Sequence, residues 1–390
     1  MDIQVSGDSP LKILTTGDNH LGKKQYKSDI RKNDYMNSFA ELISIAIERD
    51  FDAIVNKGDL FDDPQPDVKT VKETIDCLKD LEDAGIPFLA IVGNHERKQE
   101  TQWLDLLDGL SNIYRLNQEP TVLHNDAYSI VLYGIDAVRK YQWNKKDLRL
   151  TPPDTQYEDS PRMAVMHELI SPPINEGIHD YTLDQVLARL QLDIDVLGLS
   201  DYHKPVETTV EDTLVYYSGS TEKTKYNEQK NHSIVVLTVD NKIHKNRIDL
   251  QTPRPFRVKK IQLQEDTTFS DIKTELDNIS VQDSTKDPVV VIQLHGKNNT
   301  IEVNRIVDYI TEKGALLTNI IDNRVSNEID LSTTIEEQDI VDIEQTIDSE
   351  IEELDISDTT HRVNDIIRNK EIADSNVRDI VTNEIIGDTQ

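Results

Sequence analysis

The chain's first strongly apolar run is Leu11-Lys12-Ile13-Leu14-Thr15-Thr16, and it leads directly into the polar turn Gly17-Asp18-Asn19-His20. Such a run, ended by a glycine, predicts a buried strand. The arrangement recurs at two further strands, Ala53-Ile54-Val55 followed by Gly58-Asp59 and Phe88–Val92 followed by Gly93-Asn94-His95-Glu96. Each glycine lets the chain turn sharply out of the sheet, so polar side chains are expected at the strand ends.

Helical patterns separate these strands. Apolar residues at 3.6-residue spacing predict a helix from about Asp34 to Arg49, and a second helix follows from about Asp67 to Ala84. Further strands are predicted over 129–133, 163–166, 196–199 and 214–217. The alternation predicts an α/β layered fold, in which functional residues gather at the C-terminal ends of strands.

The rest of the chain is predicted to form two more parts. Residues 232–249 indicate a hairpin turned at Asp240-Asn241, and Pro253 and Pro255 mark a boundary. Residues 256–325 combine three strand patterns with two helix patterns, which is typical of a small α+β domain. The predicted domains are therefore 1–255, 256–325 and an acidic segment, 326–390.

The acidic segment contains two amphipathic patterns. Apolar residues share one helical face in each of two stretches, Ile340, Ile343, Ile347, Ile351 and Leu354, then Val377, Ile380, Val381 and Ile385. A helix with one apolar face and no domain of its own typically docks on a partner protein. A tail that stays disordered is the alternative, because the segment is acidic and lacks aromatic residues.

Composition and charge narrow the class of protein. Of 390 residues, 73 are acidic and 42 are basic, which gives a net charge of −31. Because DNA-binding proteins gain from positive charge, one interpretation is that nucleic acid is not the substrate. The other is adaptation to a high-salt cytoplasm, which we favour because acidic residues also occur within segments patterned as core elements.

The sequence also predicts where the protein works. No apolar run reaches the roughly 18 residues of a membrane helix, and the N-terminus lacks the basic and apolar regions of a signal peptide. The single cysteine, Cys77, excludes an intrachain disulfide and a cysteine-based zinc site. We therefore expect a cytoplasmic protein that does not contact membranes.

Metal-binding residue types follow two later strands as well, as His167-Glu168 and as Asp201-Tyr202-His203. Carboxylates, imidazoles and an amide together suit divalent manganese, iron or zinc. Phosphodiester hydrolysis uses two such ions about 3.5–4 Å apart with one bridging ligand, for which Asp59 is the candidate. His95 suits a different role, either assistance to the leaving oxygen or holding of the phosphate. Singly, each segment is more often a turn or a core histidine, but their recurrence at strand ends favours one shared site.

These motifs resemble the calcineurin-like metallophosphoesterases. Asp18-Asn19-His20-Leu21-Gly22, Gly58-Asp59-Leu60-Phe61-Asp62 and Gly93-Asn94-His95-Glu96 are similar to those of double-strand-break repair nucleases of the Mre/SbcD type. The resemblance covers residues 11 to about 225 and extends loosely over 256–325, which resembles that family's DNA-capping domain. It implies a four-layer α/β/β/α sandwich with a small α+β capping domain and a helical C-terminal tail. With the acidic composition, it also suggests an archaeal halophile as the source.

The resemblance assigns a role to each metal-binding residue. It implies two manganese ions per subunit, the first held by Asp18, His20, Asp59 and His203 and the second by Asp59, Asn94, His167 and Asp201. His95 would be the catalytic histidine. One position departs from the family pattern, since the usual Gly-His-x-His is here Ser200-Asp201-Tyr202-His203. Asp201 is therefore either a carboxylate ligand or a turn residue only.

Two basic clusters are candidates for DNA contact. The first follows the first motif and consists of Lys23, Lys24, Lys27, Arg31 and Lys32. It can be read as a set of phosphate contacts or as an ordinary solvated loop. The second interleaves Lys140, Lys145 and Lys146 with Tyr141 and Trp143. Its aromatic residues would either stack on the bases of an opened end or pack in the core.

The resemblance implies a manganese-dependent DNA exonuclease and single-strand endonuclease that acts in double-strand break repair. It implies DNA ends as the substrate and a Rad-type SMC-like ATPase as the partner of the C-terminal segment. It also implies a homodimer, with contacts expected from helices near 66–84 and 100–112. Two alternatives remain open at this point, a phosphoesterase of nucleotides or small phosphate esters and a DNA-end-binding scaffold with weak or no nuclease activity.

Overall fold

The computed structural model describes residues 1–98, 101–107, 112–228, 231–240, 242–281, 286–297 and 301–324. The amphipathic stretches predicted in 326–390 lie outside the described residues. The strands are β1 (Asp2–Gln4), β2 (Leu11–Thr16), β3 (Ala53–Asn56), β4 (Phe88–Ala90), β5 (Ile113–Arg115), β6 (Thr121–His124), β7 (Ser129–Ile135), β8 (Arg162–His167), β9 (Ile170–Ser171), β10 (Tyr181–Thr182), β11 (Val196–Ser200), β12 (Val206–Val210), β13 (Thr213–Tyr217), β14 (Ser233–Val239), β15 (Ile243–Asp249), β16 (Phe256–Leu263), β17 (Val289–Gly296) and β18 (Leu317–Arg324). The helices are α1 (Asp29–Glu48), α2 (Val68–Asp83), α3 (Trp103–Leu107), α4 (Leu183–Leu190), α5 (Phe269–Asp277) and α6 (Val303–Glu312).

Two large sheets form the main body of the protein. One has the order β15-β14-β2-β3-β4-β5, and the other has the order β1-β6-β7-β8-β11-β13-β12. The motif-bearing strands β2, β3 and β4 are parallel neighbours in the first sheet, and β8 and β11 are parallel neighbours in the second. Because parallel strands end at the same edge, each sheet brings its polar turns together at one edge.

The two sheets pack face to face, with helices on both outer faces. Between the sheets lies an apolar core that includes Ile13, Val55, Val165 and Leu132. The outer face of the six-stranded sheet packs against α1 and α2, and that of the seven-stranded sheet packs against α4. This arrangement confirms the predicted four-layer α/β/β/α sandwich.

Helix α1 begins five residues earlier than its apolar spacing predicts. The Ser28 side chain accepts the Arg31 N–H and caps the helix, and Asp29 places a negative charge in the first turn. The first turns carry polar and charged residues, so hydrophobic periodicity does not reveal them. Strands β1, β5, β6 and β12 were not predicted, because they are short and, apart from β6, lie at sheet edges.

Strands β16, β17 and β18 form a separate, parallel three-stranded sheet joined through α5 and α6. Its apolar cluster contains only residues from 261 onward, including Ile261, Leu276, Ile292 and Ile306. On this ground we propose that residues 256–324 are a small domain of their own. Within the described residues, none of the helices combines the length and apolarity needed to cross a lipid bilayer.

Candidate metal centre

The predicted ligands converge where the two sheets meet. Asp18 and His20 follow β2, Asp59 follows β3, and Asn94 and His95 follow β4, all in the six-stranded sheet. His167 ends β8, and Asp201 and His203 follow β11, both in the seven-stranded sheet. The site is therefore assembled from both halves of the sandwich, at the C-terminal ends of their strands.

The turns that carry the ligands have unusual backbone conformations. Five of the seven predicted ligands have positive φ angles, namely Asp18 (52°), His20 (48°), Asp59 (52°), Asp201 (89°) and His203 (58°). Residues other than glycine rarely adopt this region, and strained residues of this kind cluster at functional sites. The packing leaves little freedom, since a Cβ atom at Gly93 would lie 2.1 Å from Oδ1 of Asp59. Position 93 therefore requires glycine, because its backbone lies too close to the predicted ligand Asp59 to leave room for a side chain.

One group of donor atoms matches the predicted first metal. Nε2 of His20 lies 3.1 Å from Nε2 of His203 and 3.8 Å from Oδ2 of Asp59. Nε2 of His203 lies 3.8 Å from Oδ1 of Asp18. Four side chains from three different turns thus present nitrogen and oxygen donors to one another, as the ligands of a shared ion do.

A second group contains the residues predicted for the second metal. Nε2 of His167 lies 3.3 Å from Oδ2 of Asp59 and 3.8 Å from Oδ1 of Asp201. The Asn94 amide donates to Oδ1 of Asp201 at 3.2 Å. Oδ2 of Asp59 therefore neighbours a nitrogen of both His20 and His167, as the predicted bridging role would require.

The donor set fits divalent cations. Oδ2 of Asp59 and Nε2 of His167 are buried, and apart from ion pairs among the predicted ligands neither has a hydrogen-bond partner within the described part of the chain. Buried polar atoms normally have partners, so such a pair suggests a ligand. Carboxylate, imidazole and amide donors suit manganese, iron or zinc.

The charges of the site also favour a cation. Burial by itself raises the pKa of Asp59, but the neighbouring histidines, His167 foremost, outweigh burial and hold that pKa below its ordinary value. Burial by itself lowers the pKa of His167, but Asp59, Asp18 and Asp201 raise it well above its ordinary value. The pKa of Asp201 is raised, chiefly by burial. A divalent ion would therefore meet a concentrated negative field.

Each of the three predicted imidazole ligands has a polar neighbour at its other ring nitrogen. Nδ1 of His167 lies 2.9 Å from the carbonyl oxygen of Lys57, and Nδ1 of His20 lies 3.1 Å from Oδ1 of Asp62. Nδ1 of His203 lies 2.7 Å from Oγ1 of Thr224. Such partners orient a histidine so that Nε2 faces the metal. The sequence analysis missed them, although Asp62 stands in the same motif as Asp59.

The predicted catalytic histidine lies at the rim of the site. The His95 side chain is 42% exposed, and its ring packs edge-on against His20 with centroids 4.8 Å apart. Its Nδ1 lies 3.1 Å from the carbonyl oxygen of Asp62, while its backbone N–H donates to Oδ1 of Asp59 at 3.0 Å. His95 is thus accessible to a substrate and fixed beside the ligands.

The basic cluster after the first motif divides in two. Lys24 and Lys27 are exposed, and Lys24 also pairs with Asp29, whereas Lys23 is half-buried and pairs with Asp62. Arg31 was wrongly predicted as a DNA contact, since its side chain is fully buried.

The second basic cluster is also partly internal. Trp143 is buried and stacks on Tyr181 with ring centroids 3.5 Å apart, which corresponds to the packing alternative. Lys140 and Lys145 remain exposed. Stacking of Trp143 on bases is therefore not supported.

Comparisons with known proteins show the family of the chain. The calcineurin-like phosphoesterase family matches residues 11–205. A protein of Haloferax volcanii, described as DNA double-strand break repair protein Mre11, is 31% identical over 377 residues, which are 96% of this chain and 81% of that protein. A Halobacterium salinarum protein of the same description is 33% identical over 317 residues, covering 80% of this chain and 78% of its own length.

A Methanosarcina acetivorans protein with that description is 33% identical over 331 residues and 82% of this chain. The chain spans about half (51%) of the length of that relative. The two haloarchaeal relatives support the halophilic archaeal source expected from the acidic composition. The chain therefore belongs to the Mre11 family of calcineurin-like phosphoesterases, and it is a metal-dependent phosphodiesterase.

Proposed function

We propose that the chain hydrolyses DNA phosphodiesters with two manganese ions, as an exonuclease and single-strand endonuclease in double-strand break repair. The observation that carries the proposal is the pair of donor groups that share Oδ2 of Asp59, 3.8 Å from Nε2 of His20 and 3.3 Å from Nε2 of His167. Two adjacent ions would neutralise phosphoryl oxygens and lower the pKa of an attacking water. The similarity to DNA repair proteins supports DNA as the substrate.

The chain's own residues supply positioning and a candidate proton donor. Asp18, His20, Asp59 and His203 would hold the first ion, and Asp59, Asn94, His167 and Asp201 would hold the second. The carbonyl of Asp62 fixes the ring of His95 through Nδ1. A histidine at that place can hold the scissile phosphate or give a proton to the leaving oxygen.

DNA contact is proposed to involve exposed lysines beside the metal centre. Lys24 and Lys27 are exposed and follow the first motif, and Lys23 lies 2.7 Å from Asp62. Phosphate contacts need only local positive charge, and at high salt the repulsion from the net charge of −31 is screened within a few ångströms.

Partners are proposed from exposed apolar residues and from the family resemblance. Val68 at the start of α2 is 86% exposed, and Leu106 in α3 is 58% exposed. Large apolar side chains in solvent on both helices support a homodimer contact there. A Rad-type SMC-like ATPase is proposed as the partner of residues 326–390, which would dock through their amphipathic stretches.

Replacing His95 with alanine is expected to lower DNA cleavage by about 10²–10⁴-fold, because general acid–base residues contribute on this scale. The full chain is incubated with end-labelled duplex and single-stranded DNA in manganese and high potassium chloride. The matched control is His244→Ala, since His244 is exposed and pairs with Asp240 in the β14–β15 hairpin. Its cleavage rate should equal that of the wild type.

Other outcomes would favour the alternatives. DNA binding without cleavage by any of the three proteins would indicate an end-binding scaffold. Hydrolysis of a small phosphodiester such as bis-p-nitrophenyl phosphate, with neither cleavage nor binding of DNA, would indicate a phosphoesterase of small substrates. Equal cleavage by wild type and His95→Ala would contradict the catalytic role of His95 but not the proposed nuclease activity.

Asp201 can be tested as a ligand without straining the backbone. Its φ of 89° is one that glycine adopts freely, so Asp201→Gly removes the carboxylate and relaxes the turn. We expect Asp201→Gly to bind one manganese ion tightly and the second at least about 10-fold more weakly. Asp201→His, the residue of the family pattern, should keep two ions. Binding is measured by electron paramagnetic resonance of free manganese. Unchanged manganese affinity at both sites in Asp201→Gly would show that Asp201 is a turn residue only.

A further inference from the structure

The segment 218–228, which follows β13, is irregular, and most of its residues are buried, although Lys225 and Asn227 are exposed. Its polar side chains include Ser220, Glu222, Thr224 and Glu228, each less than one tenth exposed. We call residues 218–228 the buried loop. Burial of polar groups is unfavourable unless they are hydrogen-bonded, so these side chains are expected to have specific partners.

At one end, the buried loop contacts a metal ligand. Nδ1 of His203 lies 2.7 Å from Oγ1 of Thr224 and 3.4 Å from Oε1 of Glu228. The Thr224 hydroxyl donates to Oε1 of Glu228, and the Thr224 backbone N–H donates to Oε2 at 2.8 Å. Glu228 therefore receives both the backbone and the side-chain proton of one residue.

The direction of these hydrogen bonds determines the proton on His203. A hydroxyl has one proton, and here Thr224 gives it to Glu228, so Oγ1 can only accept from the imidazole. Nδ1 of His203 must then carry a proton, which leaves the lone pair of neutral imidazole on Nε2. Nε2 is the atom that lies 3.1 Å from His20 Nε2 and 3.8 Å from Asp18 Oδ1.

At the other end, the buried loop is anchored away from the metal centre. Oε1 of Glu222 accepts from Nη2 of Arg31 at 3.2 Å, and Oε2 accepts from the backbone N–H of Arg254 at 3.1 Å. The Lys223 carbonyl accepts from Arg31 at 3.0 Å and from the Tyr35 hydroxyl at 3.0 Å. These contacts hold the loop in place without touching a metal ligand.

We propose that Thr224 and Glu228 are positioning residues that fix the tautomer and orientation of His203, so that Nε2 serves as a donor to the first metal. The inference rests on the proposed metal binding. It predicts that the first metal's affinity depends on a hydroxyl at position 224 and a carboxylate at position 228. Partners of this kind typically change metal affinity by about 10–100-fold.

The test compares variants that keep or lose the hydroxyl. Thr224→Val is nearly isosteric and removes it, whereas Thr224→Ser retains it. We expect Thr224→Val and Glu228→Gln to weaken one of two manganese sites by about 10–100-fold, with the other site unchanged and Thr224→Ser close to the wild type. Manganese binding to the full chain is measured by electron paramagnetic resonance.

Two further measurements separate positioning from general loosening of the loop. Glu222→Gln alters a buried carboxylate of the same loop that contacts no ligand, so it should lower thermal stability and leave manganese affinity unchanged. The ¹⁵N shifts of the His203 ring in the metal-free protein, assigned with His203→Gln, should show protonated Nδ1 in the wild type and a mixture in Thr224→Val.

The outcomes are distinguishable. Wild-type affinity at both sites in Thr224→Val and Glu228→Gln would overturn the inference, as would an equal loss of affinity in Glu222→Gln. Absence of manganese binding by the wild-type chain would instead refute the proposed metal chemistry. In that case an unaltered His203 tautomer in Thr224→Val would still count against the positioning role.

Discussion

Replacing Asp59 with asparagine is expected to lower DNA hydrolysis by about 10³-fold or more and to weaken both metal sites together. Oδ2 of Asp59 lies within 3.8 Å of Nε2 of His20 and within 3.3 Å of Nε2 of His167, so the two donor groups share one oxygen. Bound ions stabilise phosphoryl charge by several kcal/mol, and about 4 kcal/mol corresponds to about 10³-fold in rate. Loss at both sites distinguishes a bridging ligand from an ordinary one.

The metal-free variant should be less stable than the wild type, because the neighbouring histidines hold the pKa of Asp59 below its ordinary value and the ionised carboxylate therefore stabilises the fold. Asparagine keeps an oxygen for the His95 backbone N–H, which donates to Oδ1 at 3.0 Å, so the local backbone contact is retained. Asp52→Asn is the matched control. Asp52 directly precedes β3, at the end of the strand away from Asp59, and it accepts the Lys12 N–H at 2.7 Å. It should leave manganese binding unchanged. Loss of one ion only in Asp59→Asn would show that Asp59 does not bridge.

The parts of the site that could be predicted are those marked by a short local sequence pattern. Asp18, Asp59 and Asn94 each follow an apolar run and a glycine, and parallel strands necessarily bring such turns to one edge. The prediction needed no knowledge of which strands lie side by side. The same reasoning brought His167 and Asp201 into the set, although they belong to the other sheet.

The orienting partners of the ligands could not be predicted, because their positions depend on tertiary structure. Thr224 and Glu228 lie in an irregular loop about twenty residues after His203, and no periodicity or motif marks them. Lys57 contributes only a backbone carbonyl, which any residue could supply. Asp62 was quoted with its motif, yet its role depends on the rotamer of His20.

The error at Arg31 has a similar cause. A basic residue near four lysines is ordinarily exposed, so the sequence alone favours an exposed Arg31. The carboxylates that allow Arg31 to be buried come from helix α1 and from the distant Glu222. Burial of an arginine becomes tolerable only when such partners are in place, and sequence proximity does not report them.

Replacing Asp34 with alanine is expected to destabilise the protein by about 3–5 kcal/mol, because it breaks a buried ion-pair network by removing one partner. Oδ2 of Asp34 accepts from Nη1 of Arg31 at 2.7 Å and from Nε of Arg254 at 2.6 Å, and Oδ1 accepts from Nη2 of Arg254 at 2.9 Å. Without it, the Arg31 guanidinium keeps Glu222 as a carboxylate partner at 3.2 Å, and the Arg254 guanidinium keeps the carbonyl oxygen of Asp287 at 2.6 Å. An uncompensated buried charge is the main source of the expected loss.

The measurement is chemical denaturation of the full chain in high potassium chloride, where exposed ion pairs contribute little. The matched control is Asp76→Ala, which removes an exposed carboxylate paired with Lys72 on the surface of α2. Such pairs contribute little to stability, so the control should unfold at nearly the wild-type denaturant concentration. Equal midpoints for Asp34→Ala and Asp76→Ala would show that the network does not stabilise the fold. A large loss confined to Asp34→Ala would show that Arg31 and Arg254 hold α1 to the segment that leads into β16, in place of the DNA contact predicted for Arg31.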